Sequence, residues 1–264
     1  IVLSAVKGTA VTAIYSVGAQ FKGYFMNFSS SISSVFAPQI NMVIAQRQHK
    51  EYLDDIFQRV GRIQFYIVSL ILMGYSLIGR EFISLWAGEN YKESFDIGLL
   101  LMVAVFVPCF QNIGLEIQKA LNMHKARSIV YFLIAVFNVV LTIPFSIKWG
   151  GIGAAAATTV SMFFGTVIFM NWYYWKKMGL DIPQFWREII SIIPGFIPPI
   201  LVVMGLKNIY TIRTLFDVLL FAIAICVTFG CSVWLFSMND YEKKLVKEPI
   251  MRIMRRRKIR QDGK

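Results

Sequence analysis

Seven stretches of this chain are apolar and long enough to cross a membrane, and that repetition limits the possible folds more than any other feature. They run roughly over 10–45, 57–79, 95–118, 128–148, 151–175, 188–206 and 214–237, and residues 1–6 read as the end of an earlier one. A helix rises about 1.5 Å per residue, so about 20 residues cover a hydrocarbon core of about 30 Å. Lipid offers no partner to a backbone N–H or C=O, and an isolated apolar run satisfies both only as a helix. The expected fold is an all-α integral membrane bundle of seven helices. Residues 1–240 form the polytopic membrane domain and 241–264 a basic cytoplasmic tail.

Composition agrees: 56% of residues are hydrophobic and 16% charged, whereas soluble domains carry nearer a quarter charged. The net charge of +12 does not point to nucleic acid, because the basic residues sit between apolar runs and in the tail. Placing the first complete span outside-to-inside puts Arg47, Lys50, Arg59, Arg62, Lys119, Lys125, Arg127, Lys176, Lys177 and Arg187 on the inner side, together with the tail. Lys7, Arg80, Lys92, Lys148, Lys207 and Arg213 fall outside. The positive-inside rule then makes the C-terminus cytoplasmic. The tail segment MRIMRRRKIR (251–260) is able to attract anionic lipid, although such runs more often serve as topology anchors.

Within the first span stands a lysine, Lys22. Advancing about 100° per residue gathers Ser16, Gln20, Gly23, Asn27, Ser30 and Ser34 on one stripe and Tyr15, Lys22, Ser29 and Ser33 on the next. Ile14, Val17, Phe21, Tyr24, Phe25, Phe28, Ile32 and Val35 take the opposite side. Polar groups facing acyl chains would be unsatisfied, so the polar side must meet protein or water. Lys22, Gln20, Asn27 and Ser30 are therefore the expected cavity-lining, substrate-binding residues. The alternative is that Lys22 snorkels and the serine stripe is only a close helix contact.

Other features are read in the same way. Pro38, Pro108, Pro144, Pro194, Pro198 and Pro199 lie within spans, where each removes a helical hydrogen bond and favours a bend. Pro108 is followed by Gln111, Asn112, Glu116 and Lys119. Glu116, Gln111 and Asn112 are candidates for coupling transport to H+ or Na+, with a neutralised Glu116–Lys119 pair at i, i+3 as the competing reading. Gly150, Gly151 and Gly153 precede four alanines and form a helix-packing face. The connection GREFISLWAGENYKES (79–94) is expected to hold a small helix at the headgroup level. Cys109, Cys226 and Cys231 sit in apolar runs and His49 and His124 in basic connections, with no metal-ligand spacing. No cofactor or metal is expected. The chain opens on Ile1 and reads as part of a longer protein.

Several of these segments together resemble a known family. AVTAIYSVGAQF (10–21), FAPQI (36–40), EFISLWAGENY (81–91), ALNMHKA (120–126) through Asn138 and Pro144, and GGIGAAAATT (150–159) are similar, in this order, to the C-terminal lobe of Wzx-type polysaccharide flippases. These belong to the multidrug/oligosaccharidyl-lipid/polysaccharide exporter superfamily. The resemblance implies one lobe, with extra helices, of a MATE-like transporter whose two lobes enclose a central cavity. It also implies a bacterial cytoplasmic membrane protein that moves undecaprenyl-diphosphate-linked oligosaccharide units outward by alternating access, for O-antigen, lipopolysaccharide or capsule synthesis. Its partners would be that lipid-linked oligosaccharide, an H+ or Na+ coupling ion and the N-terminal lobe. The diphosphate gives Lys22 a partner. A multidrug or lipid II exporter of the same superfamily is the nearest alternative. A membrane-bound polymerase or acyltransferase is disfavoured, because the external connections are short and the histidines lie on the inner side.

Overall fold

The computed structural model describes residues 2–46, 50–245 and 247–248, and every regular element among them is helical. In chain order these are α1 (Val2–Ser34), α2 (Ala37–Ala45), α3 (Lys50–Ala87), α4 (Glu93–Phe110), α5 (Asn112–Ala120), α6 (His124–Met162), α7 (Met170–Lys176), α8 (Ile182–Ile192), α9 (Ile197–Ile209) and α10 (Leu215–Phe236). A π turn, Phe163–Phe169, joins α6 to α7, and 3-10 turns at Glu89–Tyr91 and Ile193–Phe196 precede α4 and α9. Five helical stretches are long and apolar enough to span a membrane: Glu51–Ala87, Glu89–Phe110, Lys125–Lys176, Ile182–Ile209 and Leu215–Phe236. The chain is a multi-pass, all-α membrane protein.

Two features separate these five from the seven runs expected from the sequence. The stretch Lys125–Lys176 folds back at Gly150, whose φ of 58° and ψ of −132° break the helix and suit a residue without Cβ. α1 is broken at Gly8 (φ 83°, ψ −178°), and the continuous part after it, residues 9–34, is about 39 Å long at about 1.5 Å per residue. It falls outside the apolar set because its polar stripes dilute it. The tail 251–260, Arg47 and His49 lie outside the described residues, so the expectations placed on them are not addressed.

Proline acts as the sequence suggests at most positions. Pro38 and Pro198 occupy the first turns of α2 and α9, and Pro194 lies in the 3-10 turn before α9, where a missing N–H costs least. Pro108 stands inside α4 two residues before its end, whereas Pro144 lies within α6, six residues before the fold at Gly150. The connection after Gly79 differs from expectation. α3 continues through Trp86 to Ala87, and only Gly88 (φ 98°) and one 3-10 turn separate it from α4. No separate interfacial helix forms there, because the apolar residues 82–87 extend α3 instead.

Small residues determine how the helices pack. A Cβ on Gly18 of α1 would stand 2.8 Å from the Ser94 carbonyl oxygen and 2.9 Å from the Gly98 backbone nitrogen of α4. Gly98 is equally confined, between Tyr75 and Gly18. The hydroxyl of Ser94 donates to the Ile14 carbonyl at 2.7 Å, so the crossing is sealed by a hydrogen bond as well as by contact. On the arm after Gly150, Gly153 touches the Phe145 backbone, and Ala154, Ala155 and Ala157 are buried. α3 packs between α4 and α10, and a second apolar cluster (Ile78, Val203, Val218, Phe221, Ile225) joins it to α9 and α10. Large apolar side chains such as Phe132, Ile209 and Leu219 face outward, as a lipid-facing surface requires.

At one end, Arg62 of α3 is buried and grips Glu242 beyond α10. Its Nε lies 2.7 Å from Oε1 and its Nη2 3.1 Å from Oε2. The Tyr66 hydroxyl shares Oε2 at 3.1 Å, and Glu188 of α8 stands 3.6 Å from Nη1.

Gly18→Val should cost roughly 1–3 kcal/mol by overpacking the α1–α4 crossing. Gly23→Ala, where nothing lies within 4 Å of the added Cβ, should be neutral or slightly stabilising. Thermal unfolding of the two variants in detergent checks the contrast.

Candidate functional site

α1 turns two polar stripes in two different directions. Phe25, Ser29 and Ser33 are buried against the bundle, while Ser16, Gln20, Asn27, Ser30 and Ser34 are exposed. The buried pair lies in a dry seam: the Ser29 hydroxyl donates to the Cys109 carbonyl, and the Gln64 amide donates to Ser33 Oγ at 2.6 Å and to the Ser29 carbonyl at 3.0 Å. For Ser29 and Ser33 the close-contact alternative therefore describes the geometry.

Of the exposed residues, Asn27 and Ser30 border a cavity of about 400 Å³, together with Lys22. α1 contributes Lys22, Met26, Asn27 and Ser30; α4, the bend after it and α5 contribute Pro108, Gln111, Asn112 and Leu115. The opposite wall holds Arg127, Tyr131, Thr158 and Met162 of α6, Thr166 of the π turn, and Met170 and Tyr174 of α7. The wall facing α1 is polar where α4 ends at Phe110, because the helical break turns Gln111 and Asn112 toward the opening.

Five expected residues, Lys22, Asn27, Ser30, Gln111 and Asn112, thus meet around one space. Gln20 is exposed on α1 and Glu116 lies on α5, and neither borders the cavity. Glu116 instead pairs with Lys119 at 2.8 Å, its side chain 16% exposed, which is the geometry of the neutralised pair. Gln111 is buried and exchanges hydrogen bonds with Asn171.

The charge of the lining is one-sided. Lys22 and Arg127 both border the cavity, and no lining residue is acidic. Among the described residues no carboxylate lies within ion-pair distance of either cation. Arg127 is held instead by Tyr131, one turn along α6: Nη2 donates to the hydroxyl at 3.0 Å, and the guanidinium carbon lies 4.8 Å from the ring centroid. A cation over an aromatic face keeps its charge available while its direction is fixed. Two unneutralised cations in a poorly polarisable enclosure attract an anion far more strongly than they would in water.

A neutral network starts at the same wall. Thr158 borders the cavity and receives the Asn138 amide at 3.0 Å, and the Thr142 hydroxyl donates to Asn138 Oδ1 at 3.3 Å. α1 packs against α6 as well as α4. Among the described residues no group of three or more His, Cys, Asp or Glu side chains is placed to hold a metal ion. The lining has amides, hydroxyls and cations for binding, and no carboxylate or histidine to act as a general base.

Sequence reasoning missed Arg127, Tyr131 and Thr158. Arg127 was counted among the orientation charges, although its spacing from Tyr131 places both on one helix face. Thr158 was submerged in a segment read only for its glycines and alanines. Only the fold at Gly150 shows that Thr158 faces Asn138.

A many-helix membrane protein with a cationic, amide-lined interior cavity is the class these features define. No family model matches the chain, and no solved structure matches it. It is similar to the probable flippase AglR of Haloferax volcanii, at 21% identity over 170 residues, which is 64% of this chain and 36% of that relative. The matched part of the chain spans about a third of the relative's length. The similarity favours a transporter over an enzyme.

The division between seam and cavity has a direct test in a variant whose three cysteines are replaced by alanine. Ser30→Cys should react with a small polar maleimide in membranes at least about tenfold faster than Ser33→Cys, as thiol reactivity follows exposure. Equal rates at both positions would contradict the two-faced α1.

Proposed function

We propose that the chain is one lobe of a flippase that carries lipid-linked oligosaccharide across the cytoplasmic membrane by alternating access. The observation that carries this reading is the pairing of Lys22 and Arg127 on one cavity without a neutralising carboxylate. Such a site suits an anionic headgroup of the diphosphate type, with Asn27, Ser30 and Asn112 available to sugar hydroxyls or phosphate oxygens. The similarity to a probable flippase supports transport of a lipid, and the sequence resemblance to polysaccharide flippases supports the oligosaccharide. The second lobe would meet α1 on the side where its polar stripe at Gln20, Asn27 and Ser34 is exposed.

A multidrug exporter is less well supported, because cationic drugs are poorly matched to a cavity whose only charges are positive. A polymerase or acyltransferase is less well supported, because the cavity lining includes no carboxylate or histidine among the described residues.

In the full-length protein, Lys22→Ala and Arg127→Ala should each reduce surface polysaccharide by roughly tenfold or more, the scale for removing one partner of a desolvated charge contact. Membrane insertion should be intact. Normal polysaccharide in well-expressed variants would overturn the reading.

For ion coupling, the Lys119 partner of Glu116 supports a neutral pair near the boundary. Glu116→Gln should leave the pH and sodium dependence of transport unchanged. Loss of that dependence would make Glu116 the carrier.

A further inference from the structure

Lys22 and Arg127 border the same cavity but stand at different depths, and the pairing of the helices measures the difference. α1 and α4 run side by side in one direction with a constant offset of 80 positions: the Ser94 hydroxyl donates to the Ile14 carbonyl and the Ser29 hydroxyl to the Cys109 carbonyl, and Gly18 meets Gly98 between them. Lys22 is therefore level with Met102, near the middle of α4. The arm of α6 after Gly150 is tied to nearly the same level, because the Thr159 hydroxyl donates to the Leu100 carbonyl at 2.9 Å.

The arm before Gly150 runs antiparallel to that one: the Asn138 amide reaches Thr158, and Ile134 crowds Gly165. Asn138 thus lies near the level of Leu100. Arg127 precedes it by about eleven residues, which places it about 16 Å along α6 toward the end where α4 gives way to α5. Lys22 lies only about 3 Å from the Leu100 level in that direction, so the two backbones are about 13 Å apart in depth. The side chains do not close that gap. Helical side chains lean toward the N-terminus of their own helix, which carries Lys22 and Arg127 apart. It also folds Tyr131 back over Arg127, where its hydroxyl and ring hold the guanidinium. A phosphate oxygen must come within about 3 Å of a donor, so no single phosphate touches both cations.

We infer that the two cations are successive anion stations: Arg127, in the first turn of α6 at the cytoplasmic mouth, captures the diphosphate of the lipid-linked sugar, and Lys22, deeper in the membrane, takes it over. This rests on the flippase reading above and on the orientation that the basic residues favour. The polyprenyl tail stays in hydrocarbon, so the phosphates lead into the cavity and the glycan trails behind them. With the diphosphate at Lys22, the first sugar stands level with Asn27 and Ser30, about one and two turns further along α1. A charge at the rim governs how fast an ionic ligand arrives, whereas a desolvated one governs how long it stays.

The test follows the binding of undecaprenyl-diphospho-N-acetylglucosamine to the full-length protein in lipid nanodiscs by rapid mixing. Arg127→Gln should slow association roughly tenfold and flatten its dependence on salt, with dissociation unchanged. Lys22→Gln should speed dissociation roughly tenfold and leave association unchanged. Partial loss of structure would lower the fraction of protein that binds without separating the two rate constants in this way. If both variants alter the same rate constant, or the roles are exchanged, the staging is overturned and a single anion site or the reverse order takes its place. If neither variant alters either rate constant, the flippase reading itself is overturned.

Discussion

The crossing of α1 over α4 at Gly18 and Gly98 controls what the rest of the bundle can present. Because neither position has room for a side chain, the backbones meet, and the Ser94–Ile14 hydrogen bond fixes the rotation of α1 about its own axis. That rotation decides which polar stripe is enclosed and which is left open. Ser29 and Ser33 turn into the seam with Gln64 and Cys109, and Lys22, Asn27 and Ser30 turn toward the space bounded by α5, α6 and α7. A bulkier crossing would push the helix away and separate the cavity walls.

The two polar regions obey one rule in different ways. A hydroxyl or amide removed from water must find a partner or pay a desolvation cost. In the seam, the Ser29 hydroxyl finds the Cys109 carbonyl and the Gln64 N–H groups find Ser33 Oγ and the Ser29 carbonyl, while Gln64 Oε1 is left without a partner. At the cavity, the cations have no anionic partner among the described residues, which is tolerable only where water or a ligand can supply one. Arg127 lies between these extremes: Tyr131 directs its guanidinium without neutralising it.

Much of this architecture could be read from the residues. Apolar runs with basic punctuation located the helices, since hydropathy and length suffice for a chain that must satisfy its backbone internally. The 3.6-residue period sorts α1 into stripes, yet Lys22, grouped there with Ser29 and Ser33, lines the cavity with Asn27 and Ser30, and Phe25, set on the apolar side, is buried beside Ser29 and Ser33; periodicity gives angles around one helix and not the identity of its neighbours. It could not distinguish the enclosed Ser33 from the open Ser30. Arg127 was hidden because charge counting treats every basic residue near a span end as a topology signal. The hydrogen bonds between Gln111 and Asn171 join positions 60 apart and follow a π turn that leaves no composition signature, so they could not be read from the residues. The extension of α3 to Ala87 replaced the expected interfacial helix because a continuing helix already satisfies the backbone there.

The clasp between Arg62 and Glu242 bears on biogenesis. The two residues are 180 positions apart, so the guanidinium emerges from the ribosome long before its carboxylate exists. Glu188 of α8 can reach the guanidinium before α10 is made, but the bidentate partner arrives only with the segment after α10. Until then that corner has to stay hydrated, and its closure waits on the docking of α10 beside α3.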